Sequence, residues 1–150
     1  MPRGARNVLV VHGHNDEAKQ AVARFIEQLD LHPVIVHEQP SRGRTIIEKF
    51  ESCSNVGFAV VILTRDDVAG PNGAGDQSFR ARQNVVFEMG YCIGKLGRNR
   101  VCALHEDGVE LPSDMSGVVY VSYDSLGAWK LQLAKEIRAA GIEIDMNRVL

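Results

Sequence analysis

The order of apolar runs and helix-period stretches predicts an α/β fold, a flavodoxin-like three-layer sandwich around a five-stranded parallel sheet. Three observations carry this reading. Short β-branched runs alternate with amphipathic stretches along all 150 residues. No repeat, low-complexity tract or linker interrupts that alternation. The run Gly57–Leu63 (GFAVVIL) is apolar throughout, as a central strand covered on both faces requires. Strands separated by helices imply parallel pairing through right-handed crossovers, and residues 1–150 are expected to form one domain.

The elements follow in order. Asn7–Val11 (NVLVV) reads as a buried strand ending at His12-Gly13. Asp16–Leu29 puts Ala18, Val22, Phe25, Ile26 and Leu29 on one helical face, with Asn15 or Asp16 able to cap the first turn. Pro33–His37 is the second strand, with proline at its start. A polar loop, Glu38–Thr45, leads to a short helix, Ile46–Ser52. After the third strand, Gly57–Leu63, comes a connection, Thr64–Gln83, expected to lack regular structure. Asn84–Leu96 is a helix, Arg100–Leu104 the fourth strand and Val118–Ser122 the fifth. Leu126, Trp129, Leu133 and Ile137 mark a last amphipathic helix, stopped near Gly141.

Composition narrows the function. Hydrophobic residues make up 45% and charged residues 24%, ordinary for a globular chain and unlike a disordered or membrane one. A net charge of −2 offers no field for nucleic acid or an anionic membrane. Cys53, Cys92 and Cys102 form no CxxC pair and read as small buried hydrophobes of a reducing compartment. The first apolar run is too short for a signal sequence or a membrane span, so the cytoplasm is the expected location.

In an open parallel sheet, ligands bind beyond the carboxyl ends of the strands, where the strand order reverses. Those ends deliver His12-Gly13-His14-Asn15-Asp16, His37-Glu38, Thr64-Arg65-Asp66-Asp67, His105-Glu106 and Tyr123-Asp124. Polar loop residues are ordinary, so position alone makes them candidates only. Gly13 permits a close approach of the backbone to a ligand, and the helix behind it presents free N–H groups. GxGxxG is absent, which argues against a hydride-transferring dinucleotide site. The four strand-end histidines (His12, His14, His37, His105) lack metal-ligand spacing. Arg42 and Arg44, within Ser41–Thr45, suit an anion or are simply a solvated loop.

Helix Asn84–Leu96 is the most informative element. Val85, Met89, Cys92 and Leu96 form a buried stripe, and Glu88 lies about 60° from its centre. A carboxylate at the border of an apolar face is partly desolvated, so its proton affinity is open to tuning. The bland alternative is a boundary glutamate paired with Lys95. Phe87, Gly90, Tyr91 and Gly94 fall on the opposite side, a surface for packing within the fold or against another copy.

Taken together, VLVVHGHNDEAKQAVARFIEQL, VIVHEQPSRGRTIIEKFE, VGFAVVILTRDD, RARQNVVFEMGYCIGKLGR and RVCALHEDGVELPSDMSGVVY resemble TIR (Toll/interleukin-1 receptor) domains. The similarity is to the prokaryotic TIR-like subgroup of predicted nucleotide-binding proteins. It implies the TIR fold, with Glu38–Thr45 as the loop after the second strand. It also implies NAD+ glycohydrolase activity, cleaving the nicotinamide–ribose bond to give ADP-ribose or a cyclised product, as an effector in antiphage defence. NAD+ is then the substrate and no further cofactor or metal is implied. The family's catalytic glutamate maps onto Glu88. Family members often carry a tryptophan four residues ahead of it, where this chain has Asn84. His12, Gly13 and Asp16 are expected on the ribose–phosphate side, Arg42 and Arg44 at the pyrophosphate or a neighbouring copy, and Asp66 and Asn84 beside Glu88.

The resemblance further implies activation by assembly. Contacts are expected through the Glu38–Thr45 loop and the Phe87/Tyr91 face, driven by a sensor domain or protein that responds to a cyclic nucleotide. On that view the chain is the effector part of a longer polypeptide. Three other readings stay open: a non-enzymatic TIR scaffold for homotypic signalling, a nucleoside deoxyribosyltransferase-like enzyme using a glutamate nucleophile, and a nucleotide-binding sensor without catalysis.

Overall fold

A computed structural model describes residues 5–36, 55–69, 78–112 and 117–149, together with Arg42, Gly43, Glu48, Phe50 and Glu51. Five strands make the main sheet: β1 (Asn7–Val11), β2 (His32–Ile35), β3 (Phe58–Leu63), β6 (Val101–His105) and β8 (Val119–Ser122). Their order is β2-β1-β3-β6-β8, and every pair is parallel. The expected three-layer sandwich is therefore present, with the reversal of strand order between β1 and β3.

Side chains of a strand alternate between faces, and here the alternation builds two cores. Val8, Val10, Phe58, Val60, Ile62, Cys102, Leu104 and Val121 point to one face. Helices α1 (Asp16–Gln28) and α3 (Trp129–Ala139) cover it with Val22, Phe25, Ile26, Trp129, Leu133 and Ile137. Leu9, Val11, Ala59, Val61, Leu63, Val101 and Ala103 point the other way, under Val85, Met89 and Cys92 of α2 (Gln83–Leu96). Phe50 joins that second core.

Helix α1 starts where the sequence expects. Asn15 has extended backbone, and its side-chain oxygen accepts a hydrogen bond from the Ala18 amide at 3.0 Å. Such caps typically contribute about 1 kcal/mol. Asn15→Ala is therefore expected to lower unfolding free energy by about 1 kcal/mol in a urea titration with unchanged slope.

Several boundaries and one region differ from expectation. The second strand is His32–Ile35 rather than Pro33–His37, because His32 pairs with Asn7 and so extends the ladder backward; His37 lies outside the described residues. Leu126 is not on the apolar face of the last helix. It is 94% exposed in a turn, and α3 begins at Trp129 because both carboxylate oxygens of Asp124 accept from the Ala128 and Trp129 amides.

The connection after β3 is not structureless. It contains β4 (Asp67–Ala69) and β5 (Ser78–Arg80), antiparallel to each other. Strand β7 (Val109–Glu110) pairs parallel to β5 and completes a second, three-stranded sheet. Of the predicted helix 46–52, Glu48, Phe50 and Glu51 are helical. The Glu38–Thr45 loop lies outside the described residues except for Arg42 and Gly43, and Cys53 lies outside them too. Cys92 and Cys102 are buried and free, as small apolar side chains would be. Among the described residues no helix is long and apolar enough to cross a membrane.

Candidate functional site

Three chain segments meet at the carboxyl rim where β1 and β3 end. Strand β1 runs into His12-Gly13-His14, β3 into Thr64-Arg65-Asp66, and α2 begins after Arg82. Asp66 ties them together. Its Oδ1 accepts from the His14 amide at 2.9 Å and from the Thr64 hydroxyl at 2.6 Å. Its Oδ2 accepts from the Arg82 amide at 3.0 Å.

This carboxylate also explains Gly13. A Cβ on Gly13 would fall well inside contact distance of all three atoms of the Asp66 carboxyl group. The close approach anticipated for a ligand is thus made by an internal side chain. Gly13→Ala must displace a group holding three hydrogen bonds, and bonds to charged groups contribute about 1.5–3 kcal/mol each. We expect a loss of about 2–3 kcal/mol on that basis, measured by chemical denaturation.

Glu88 lies one and a half turns into α2. The helical wheel places it at the border of the apolar stripe, but the structure buries it with Val85, Met89 and Cys92, leaving 5% exposed. On the same side of the sheet Phe50 packs edge-on against Tyr91, one turn beyond Glu88, at 5.2 Å between ring centroids, and joins the core of Val85, Met89 and Cys92. Among the described residues its carboxylate has no hydrogen-bond partner. Burial pushes its pKa from 4.5 up to about 7, and the nearby positive charge of Arg82 pulls against that rise. The cation acting on Glu88 is therefore Arg82, not the Lys95 that sequence spacing offered. The Cys92 thiol, one turn on, is pushed up to about 12 by burial and by the charge of Glu88.

The other predicted residues divide. His12 is buried at the end of β1, with Nδ1 2.9 Å from the Gly13 carbonyl oxygen. Asn84 is exposed in the first turn of α2, on the Glu88 flank. Asp16 is exposed at the start of α1, 3.6 Å from Lys19 Nζ; α1 and α2 lie on opposite faces of the sheet, so Asp16 and Glu88 belong to different layers. Arg42 is exposed and adopts a positive φ of 51°. Arg44 lies outside the described residues. Phe87 is 57% exposed, whereas Tyr91 is half-buried against Phe50. The expected Phe87/Tyr91 face is thus split, and only Phe87 projects.

Arg82 escaped sequence reading; it carries no spacing signal, because the partners that give it meaning come from other segments. A groove of about 320 Å³, lined by Arg80, Ala81, Gln83, Val86, Glu110, Leu111 and Pro112, opens on the other flank of α2 from Glu88. Among the described residues no group of three or more His, Cys, Asp or Glu comes together as a metal site would require.

Comparison with known proteins places the chain in a family. The chain is 44% identical over 147 residues to the Escherichia coli protein titled uncharacterized protein YuaY, covering 97% of this chain and 49% of that one. It is 37% identical over 127 residues to protein tirC of Dictyostelium discoideum, covering 77% of this chain and 63% of that one. A shorter stretch of 68 residues is 46% identical to the Pycsar effector protein BcPycTIR of Burkholderia cepacia, covering 44% of this chain and 22% of that protein. The chain thus spans about half the length of the E. coli relative and under two thirds of the other two. The family model described as CAP12/Pycsar effector protein, TIR domain, matches residues 7–125, from the first strand of the main sheet through the last. On that match the chain belongs to the CAP12/Pycsar effector TIR-domain family.

Proposed function

We propose that this domain is an NAD+ glycohydrolase that cleaves the nicotinamide–ribose bond, with Glu88 as the catalytic carboxylate, and that it serves antiphage defence. One observation carries the reading: Glu88 is buried among Val85, Met89 and Cys92 on a packed helix, and its pKa is raised to about 7. Burying an ionisable group costs stability, and residues held at such a cost are characteristic of sites that use them.

The reaction suits a single acid group. Nicotinamide departs as a neutral leaving group, so no general acid is needed. The barrier lies in the positive charge that develops on the ribose ring, and an ionised Glu88 stabilises that charge from a water-poor position where electrostatics are strong. Water completes the reaction at the anomeric carbon to give ADP-ribose, and attack by an adenine nitrogen instead gives a cyclic isomer.

Relatives titled Pycsar effector and CD-NTase-associated protein support a cyclic-nucleotide signal upstream, sensed by a partner domain or protein that gathers copies of this domain. Self-association then runs through the Glu38–Thr45 loop and the exposed Phe87. The test is nicotinamide release from NAD+ across a wide range of protein concentration. Turnover per molecule should rise steeply with concentration. No release at any concentration would leave a signalling scaffold, and base exchange on deoxynucleosides with indifference to NAD+ would identify a transferase.

A further inference from the structure

The geometry points to Asp66 as a positioning residue that closes the crevice between β1 and β3 and fixes the start of α2 against the β1–α1 turn. In an open sheet of this order the crevice at the strand reversal is where a ligand ordinarily lies. Here a carboxylate of the chain itself fills it. Oδ1 holds the His14 amide and the Thr64 hydroxyl, and Oδ2 holds the Arg82 amide. Gly13 leaves the carboxyl group room to lie against the turn.

Groups of the chain itself take three of the carboxylate's roughly four acceptor positions, so Asp66 acts through its partners rather than on the ligand. Arg82 sits at the joint: its backbone amide is held by Asp66, while the positive charge of its side chain acts on Glu88. Asp66 thereby sets the register of the Glu88 helix relative to the end of β1. The activity part of this inference rests on the NAD+ reading; the structural part does not.

The test uses the full chain and its Asp66→Ala, Asp66→Asn and Thr64→Val variants. Residue-resolved amide exchange should show His14 and Arg82 losing protection together in Asp66→Ala, by about tenfold or more, while Val60 and Leu104 keep theirs. Protection unchanged at either amide overturns the proposal. If Asp66→Ala does not fold, Asp66→Asn serves in its place: it keeps one acceptor oxygen, so one of the two amides should stay protected and the other should not.

In turnover assays Asp66→Ala should lower kcat by about 10²-fold, as for a misplacement of about 1 Å, with KM within about threefold of the parent. Thr64→Val, which removes one bond of the three, should fall between. A higher KM at unchanged kcat would make Asp66 a substrate contact and overturn the positioning role. A parent protein that releases no nicotinamide would sink the NAD+ reading, and the exchange measurement would still decide the staple.

Discussion

Glu88→Gln is expected to leave the chain folded, to lower NAD+ turnover by about 10²–10⁴-fold, and to alter the pH dependence of stability as no surface glutamate would. The second effect follows from linkage. In the unfolded chain Glu88 ionises near 4.5, and in the folded chain near 7. Below pH 4.5 the group is protonated in both states and contributes no pH-dependent term. As pH rises from 4.5 to 7 the unfolded state releases the proton while the folded state retains it, so folding is progressively penalised. Above 7 the penalty is constant, at about 3 kcal/mol.

Glutamine does not ionise. The stability difference between variant and parent should therefore shift in favour of the variant by about 3 kcal/mol between pH 4 and pH 8, read from urea titrations at both. A pH-independent difference would mean that Glu88 is solvated. The same titration gives the sign for activity. The anion stabilises the sugar cation, so kcat should climb with pH through about 7 and then level off. Equal turnover by parent and variant would remove Glu88 from the reaction.

Phe25→Ala should produce the largest loss of stability. Phe25 is 1% exposed at the centre of the core between the sheet, α1 and α3. It meets Trp129 edge-on, with ring centroids 5.4 Å apart. Removing a buried phenyl ring forfeits its transfer free energy and leaves a cavity that rigid neighbours fill only in part, about 3–5 kcal/mol together. For a domain of this length the melting temperature should fall by roughly 10 °C. A fall of only a degree or two would show that α3 closes onto α1 when the ring is gone.

The layers were legible in the sequence because each rests on a local period. Val8 and Val10 against Leu9 and Val11, or Val22, Phe25 and Ile26 on one side of α1, are patterns within a single element. Asn15 was legible as a cap for the same reason. Features that depend on two segments meeting were not. Strands β4, β5 and β7 are two or three residues long and exist only through their pairing, with Phe79 opposite both Val68 and Val109.

The site divides along the same line. The border position of Glu88 was legible from the period of its helix, but its depth was underestimated, because a helical wheel takes no account of side chains arriving from other segments. Gly13 was noticed, yet its cause was assigned to a ligand, since the carboxylate pressed against it arrives from the end of another strand. Asp66 was named as a rim candidate, and the bonds it accepts from His14 and Arg82 were not legible because those amides lie far from it in sequence.

The two buried thiols give the fold a built-in means of observation. Cys92 belongs to the core beneath the Glu88 helix, and Cys102 to the core on the opposite side of the sheet. Each is pushed up to about 12, so alkylating reagents, which need the thiolate, meet almost none of it at neutral pH. With Cys53 replaced by serine, modification of either thiol must wait for its own layer to lift. Quantifying adducts at each position over time would time the detachment of the two halves separately. A ligand that clamps the Glu88 side should then slow labelling at Cys92 and leave the clock at Cys102 running unchanged.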